Sequence, residues 1–254
     1  MPPPPQSSLR AQHLRAIAYA LAGFGCWVMA DILMKLAGMS DTPKYELIAI
    51  GSFSGMVSIV LFTFVTGDRD QLRPKRYDRL LGLSLLFAVV QYMNLLAVAH
   101  MPLANYYVIV FLSPVLLAIL SSLFLRERLD MTQAVAVFAG FVGVIVATNP
   151  TSLMHPPNDH WIGYAAAGVG VLCFTMQILT VRVLGRSESR IAVALYPRLG
   201  PCIISLIAIF YFGAVSIPPD ILFYAIAMGA VGGIGWVLIA QAYKLAPVGI
   251  IAPF

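Results

Sequence analysis

Between Leu103 and Leu125 the chain runs for 23 residues without a charge. At about 1.5 Å of rise per residue this makes about 35 Å of helix, enough to cross a bilayer core of about 30 Å. Pro114 stands in the middle of the run. It has no N–H to donate, and its ring crowds the carbonyl four residues back, so a bend is expected there. In lipid, such a break is tolerated only where a neighbour or a cavity satisfies the freed carbonyl, so this helix is expected to line something. It opens after a tight connection at His100–Pro102 and ends in the water-seeking cluster Arg126-Glu127-Arg128.

The rest of the chain repeats that pattern. It is 60% hydrophobic and 11% charged, with a mean hydropathy of +0.86. A soluble domain needs about 25% charged residues to cover itself, so this is an all-α polytopic membrane protein. Spans are expected at roughly 14–36, 46–66, 79–99, 103–125, 131–148, 160–181, 191–213 and 220–243, with a ninth starting near Pro247 and cut at Phe254. Residues 1–13 read as a disordered cytoplasmic tail, proline-rich at its start. The run from Ala16 to Met34 is too long for a signal-peptide core, so it is kept as a permanent span. Cys26, Cys173 and Cys202 lie in apolar runs with no CxxC spacing, which argues for packing rather than disulfides or zinc.

A net charge of +5 raises the question of nucleic acid, and the positions of the charges answer it. With the N-terminus cytoplasmic, 13 of the 16 Lys and Arg fall in inside segments, Lys35 and Lys44 fall outside, and Arg198 falls within a span. That is the asymmetry of membrane insertion, so a multi-pass protein of the cytoplasmic (inner) membrane is expected and no nucleic-acid partner.

The sequence also echoes itself at a constant shift of 145: Tyr19 meets Tyr164, Gly23 meets Gly168, Gly55 meets Gly200, Ala97 meets Ala242 and Pro102 meets Pro247. Kept across several loops, one shift points to duplication. The unit holds five spans, an odd number, so the second copy enters the membrane from the opposite side. The expected architecture is an inverted repeat of five transmembrane helices, with a first copy at 14–150 and a second at 159–254, truncated in its fourth helix. Halves related in this way offer two similar shapes, one open to each side, which is the basis of alternating access.

Ala97–Pro102–Ala104, Pro114, the Arg126-Glu127-Arg128 end, Gly140 with Gly143, and the echo Ala242–Pro247 together resemble the drug/metabolite transporter superfamily, EamA type. The resemblance covers about residues 14–254. It implies ten spans, both ends in the cytoplasm, a central cavity between spans 1–4 and 6–9, and transport of small organic metabolites, amino acids or drugs. The chain departs from that pattern where it stops, inside span nine.

Polar groups inside the membrane are costly and by default face the bundle interior or a cavity. Asp31 is a candidate to bind a substrate amine or carry a coupling proton; the alternative is an interfacial pair with Lys35, four residues on. Arg198 lies between Pro197 and Pro201, which predict a broken helix with free carbonyls. It would grip a carboxylate or phosphate by a fork of hydrogen bonds, or else snorkel to the inner surface. Ser84, Phe87, Gln91 and Asn94 share one face of span three. Trp236 replaces Gln91 under the shift, Trp27 lies one turn before Asp31, and Asn105, Tyr106 and Gln177 complete the candidate cavity lining. For each alone, helix–helix packing competes with that role. Gly51-x-x-x-Gly55 and Gly229, Gly232, Gly233 and Gly235 allow close helix approach.

The expected function is a secondary transporter that moves a small organic metabolite (amino acid, nucleotide-like or drug-like) by alternating access. A passive channel or membrane scaffold is the alternative. An intramembrane enzyme is less favoured, because the four histidines lie in loops or at span ends and neither H-E-x-x-H nor G-x-S-x-G occurs. No phosphate loop, cofactor or metal is implied. The partners implied are a small-molecule substrate and the lipid bilayer, with a homodimer left open.

Overall fold

The computed structural model describes residues 6–125, 161–184 and 187–246, with isolated helical positions at 135, 138, 139, 142, 143 and 146. Apart from those isolated positions, the expected fifth span falls outside these residues, as do the Arg126–Arg128 cluster, Gly140 and the ninth span. The described part is built of helices: α1 (Gln6–Gly38), α2 (Lys44–Thr66), α3 (Tyr77–His100), α4 (Leu103–Val110), α5 (Leu112–Leu125), α6 (Trp161–Leu184), α7 (Arg190–Leu195), α8 (Leu199–Phe212) and α9 (Pro219–Leu245). Six helical segments, with α7 and α8 joined as one, are long and apolar enough to cross a membrane.

The first helix corrects one expectation. It begins at Gln6, so residues 6–13 are helix rather than disordered tail. Nothing between Gln6 and His13 breaks a helix, and Gln12 Nε2 donates to the Leu245 carbonyl at 2.9 Å, tying this turn to the end of α9.

Two interruptions follow from proline. The fourth span breaks between α4 and α5 at Phe111, three residues before Pro114. The carbonyl that Pro114 cannot serve is that of Val110, and α4 ends there. The seventh span is split by a 3₁₀ turn, Tyr196–Arg198, between α7 and α8. Pro201 leaves the Pro197 carbonyl without its helical donor. Ser84 Oγ of α3 donates to that carbonyl at 3.1 Å and accepts the Gly200 N–H at 2.6 Å, so one hydroxyl repairs both sides of the break.

Helix directions follow from the contacts. Trp27 and Phe87 both stack on Trp236, and eight residues further along α1 Lys35 donates to the Val98 and Met101 carbonyls, so α1 and α3 run the same way. Along α6, Gly163 lies against Ala97 and Met101 while Gly170 lies against Asn94 and Met93, so α6 runs opposite to α3 and hence to α1. The helices that start the two echoing segments therefore cross in opposite directions. Packing pairs are exchanged by the same shift of 145. Gly55 sits against Gly229 and Ser84 against Gly200; adding 145 to Gly55 and Ser84 gives Gly200 and Gly229.

Small residues bring the helices together. Gly229 meets the backbone of Gly51, and Gly233 meets that of Gly55, so α2 and α9 interlock their glycines. In α1, Gly23 leaves room for Ile239, and in α9 Gly235 leaves room for Trp27. Without a strong hydrophobic drive between helices in lipid, close backbone approach of this kind supplies the association energy.

The end that carries most of the basic residues is tied by a polar network. Gly67, at φ +74°, stops α2, and the loop after it meets the α6–α7 junction. Asp68 pairs with Arg190, the Lys75 N–H donates to Glu188 carboxylate oxygens at 2.9 and 3.1 Å, Ser189 Oγ bonds the Gln71 carbonyl, and Lys244 Nζ reaches the Glu188 carbonyl at 2.9 Å. Burial pushes the Asp68 carboxyl up, but hydrogen bonds from Arg190, Thr66 and Gln71, with the charge of Arg190, outweigh it and hold the group below the usual carboxylate range. Above this network sits an apolar cluster that includes Leu83, Phe87, Leu184, Ile191 and Trp236.

Candidate functional site

A cavity of about 110 Å³, open to the centre of a water molecule, lies among α1, α2, α3, α4, α6 and α9 and the 3₁₀ turn. Housing one water takes about 10–15 Å³ on that measure, so the space suits several waters or a small organic molecule. Of the nine lining residues expected from sequence, Trp27, Asp31, Gln91, Asn94, Tyr106, Arg198 and Trp236 face it.

Its aromatic wall comes from four helices. Trp27 stands 4.8 Å from Trp236 between ring centroids and meets Phe174 edge-on at 5.7 Å, and Phe87 meets Trp236 at 5.7 Å. Edge-to-face contacts at these distances favour fixed ring orientations. Gln91 and Asn94 follow Phe87 along the same face of α3, and Gly170 opposite leaves space for the Asn94 amide.

Asp31 does not pair with Lys35. Its carboxylate accepts a hydrogen bond from the Tyr107 hydroxyl of α4 at 2.9 Å. Lys35 is taken up by the last carbonyls of α3, where a cation completes a helix C-terminus. Lys44 does the same for α1, donating to the Gly38 and Ser40 carbonyls.

Arg198 does not snorkel. It is 3% exposed and turns inward at the 3₁₀ turn. Its guanidinium fills the gap left by Gly55 on α2, approaches Gly232 on α9 and lies 5.5 Å from the centre of the Phe87 ring. No carboxylate among the described residues comes within ion-pair reach of it, and its Nε–H has no acceptor. The Trp27 indole N–H is likewise buried without an acceptor.

Two expected residues stand elsewhere. Asn105 is 5% exposed and donates to the Tyr164 hydroxyl at 2.7 Å, which joins α4 to α6. Gln177, 1% exposed, is not among the cavity residues. Asn105 takes the packing role that competes for any polar residue in a membrane helix, while the Gln177 side-chain oxygen is buried without a donor among the described residues. Pro114, Pro197 and Pro201 shape the breaks described above. Sequence reasoning missed Tyr107 and Phe174. Tyr107 adjoins a chosen residue, Tyr106, but its partner is 76 positions away. Phe174 carries no signal beyond one more aromatic in an apolar helix.

Comparison with known proteins follows the same line. The EamA-like transporter family matches residues 14–149. Two curated relatives, each called an uncharacterized transporter, come from Archaeoglobus fulgidus and Helicobacter pylori. The first is 26% identical over 49% of this chain and 48% of its own length, the second 28% over 56% and 48%. The chain thus matches about half the length of these relatives. One crystal structure shares the fold at a TM-score of 0.67 and 19% identity, over 93% of this chain and 84% of that one. With the family match covering more than half of its length, the chain belongs to the EamA-like transporter family.

Proposed function

We propose that the chain is a secondary transporter for a small organic solute, working by alternating access at the cavity lined by α1 and α6. The observation that carries this reading is the placement of the cavity between helices that start the two echoing segments and cross in opposite directions. An inverted pair of five-helix units, 14–150 and from 159 onward, would rock about such a site and expose it to each side in turn. The polar network at the basic end would be the closure on that side, and Lys and Arg placement puts that side in the cytoplasm.

The aromatic wall would hold the solute's body, and Gln91, Asn94, Asp31 and Arg198 would fix its polar groups. A passive channel of the same helices would need a continuous wet path; the apolar cluster below Trp236 and the network beneath it argue against one. The test is counterflow in sealed vesicles containing the full chain. Solute loaded inside should drive uptake of labelled solute against its gradient, as an alternating carrier requires. Uptake that only equilibrates, with no overshoot, would favour the channel.

A further inference from the structure

We propose that the cavity selects a small organic anion, a carboxylate or a phosphate monoester, whose oxyanion sits on Arg198; the inference rests on reading this cavity as the substrate site. Two side-chain N–H groups in the cavity wall are buried with no acceptor, Arg198 Nε and Trp27 Nε1. Both are donors and one carries a full charge. A ligand that satisfies both must present acceptors, and an oxyanion presents several in the geometry that suits a guanidinium fork.

Among the described residues no carboxylate answers this charge. A buried cation without a partner is disfavoured. The Phe87 face at 5.5 Å offsets only part of that cost. The cavity carboxylate, Asp31, bonds to Tyr107 on the α4 side, whereas Arg198 lies against Gly55 and Gly232 of α2 and α9. Ser84 Oγ is engaged by the Pro197 carbonyl and the Gly200 N–H. Gly55 is what admits Arg198 here, since a Cβ on it would overlap the guanidinium. The head group is thus placed at the α2–α9 wall, and the apolar body runs along Trp27, Trp236 and Phe87.

Equilibrium binding tests this without requiring transport. Purified full chain is titrated calorimetrically with four probes that share a phenyl body: phenylacetate, phenyl phosphate, 2-phenylethylamine and 2-phenylethanol. At least one anion should bind about tenfold or more tighter than the amine and the alcohol, and the tighter of the two identifies carboxylate or phosphate chemistry. Arg198→Gln should remove that preference, and Arg198→Lys, a point charge without the fork, should keep part of it. If Arg198→Gln does not fold, Trp27→Phe, which removes the indole N–H but keeps an aromatic ring, should weaken the anion about threefold or more beyond any loss it causes for the alcohol. Amine or alcohol binding as tight as the anions, no anion bound at all, or Arg198→Gln binding the anion as wild type does would each overturn the proposal. Anion binding without counterflow would leave it standing and remove the transport reading; counterflow of the amine with no anion binding would do the reverse.

Discussion

The guanidinium of Arg198 occupies the space that a side chain on Gly55 would need: a Cβ built there would lie 2.7 Å from Arg198 Cζ and 2.9 Å from the Gly229 carbonyl oxygen. Gly55→Ala is therefore expected to push Arg198 out of the cavity wall and part α2 from α9. Overpacking of this kind costs about 1–3 kcal/mol. Because the same Cβ meets both groups, the loss should shrink, without vanishing, in an Arg198→Ala background. Unfolding of the two single variants and the double variant in detergent gives the coupling directly.

Ser84→Ala should be more damaging than a surface serine change. It strands the Gly200 N–H and leaves the Pro197 carbonyl with only the contact from the Leu199 N–H, two residues on, beside the proline break. Leaving buried backbone groups unpaired costs about 1–3 kcal/mol each. The check is the unfolding midpoint of Ser84→Ala against Thr180→Ala, whose hydroxyl is exposed and bonds only within its own helix.

Of the three tryptophans, Trp27 and Trp236 face the cavity and Trp161 is exposed at the start of α6. A bound solute should change the emission of the first two alone. Trp161→Phe is expected to keep the ligand-induced change in fluorescence, Trp27→Phe and Trp236→Phe each to lose part of it, and the double variant to lose it.

Acid should weaken the basic end in a defined window. The Asp68 carboxyl is held below its usual value of 3.8 in the folded chain, so its pairing contributes stability above that value. The contribution fades as pH falls below about 4, through the lowered folded value. The stability gap between wild type and Asp68→Asn should be constant from neutral pH down to about 5 and narrow below that, as measured by unfolding in detergent across pH.

Much of this was legible in the sequence, and the rest was not for identifiable reasons. Span positions follow from charge-free runs, since lipid leaves little freedom in length or polarity. The breaks at Pro114 and Pro197–Pro201 follow from missing donors. Seven cavity residues were found because a polar or large aromatic group in an apolar helix has few places to go. Asn105 and Gln177 pass the same filter yet sit between helices, because the rotation of a helix about its own axis is set by neighbours that the local sequence does not name. Arg198 has the reach to snorkel; what admits it inward is the gap at Gly55, a glycine on a different helix. The partner of Asp31 was not legible for a similar reason. Lys35 is near in sequence, but the carbonyls ending α3 compete for it and win.

The central claim is that one cavity opens to each side in turn, and access from each face measures it most directly. In a chain with Cys26, Cys173 and Cys202 replaced, Val90→Cys places a thiol on the cavity wall. Gln71→Cys with Ser189→Cys adds a removable crosslink where Ser189 bonds the Gln71 carbonyl at the basic end. In sealed vesicles the reduced chain should react at position 90 with an impermeant maleimide applied from either face, and the crosslinked chain only from the face opposite the crosslink. Reaction from the basic end that the crosslink leaves unchanged, or from one face only in both states, would contradict alternating access.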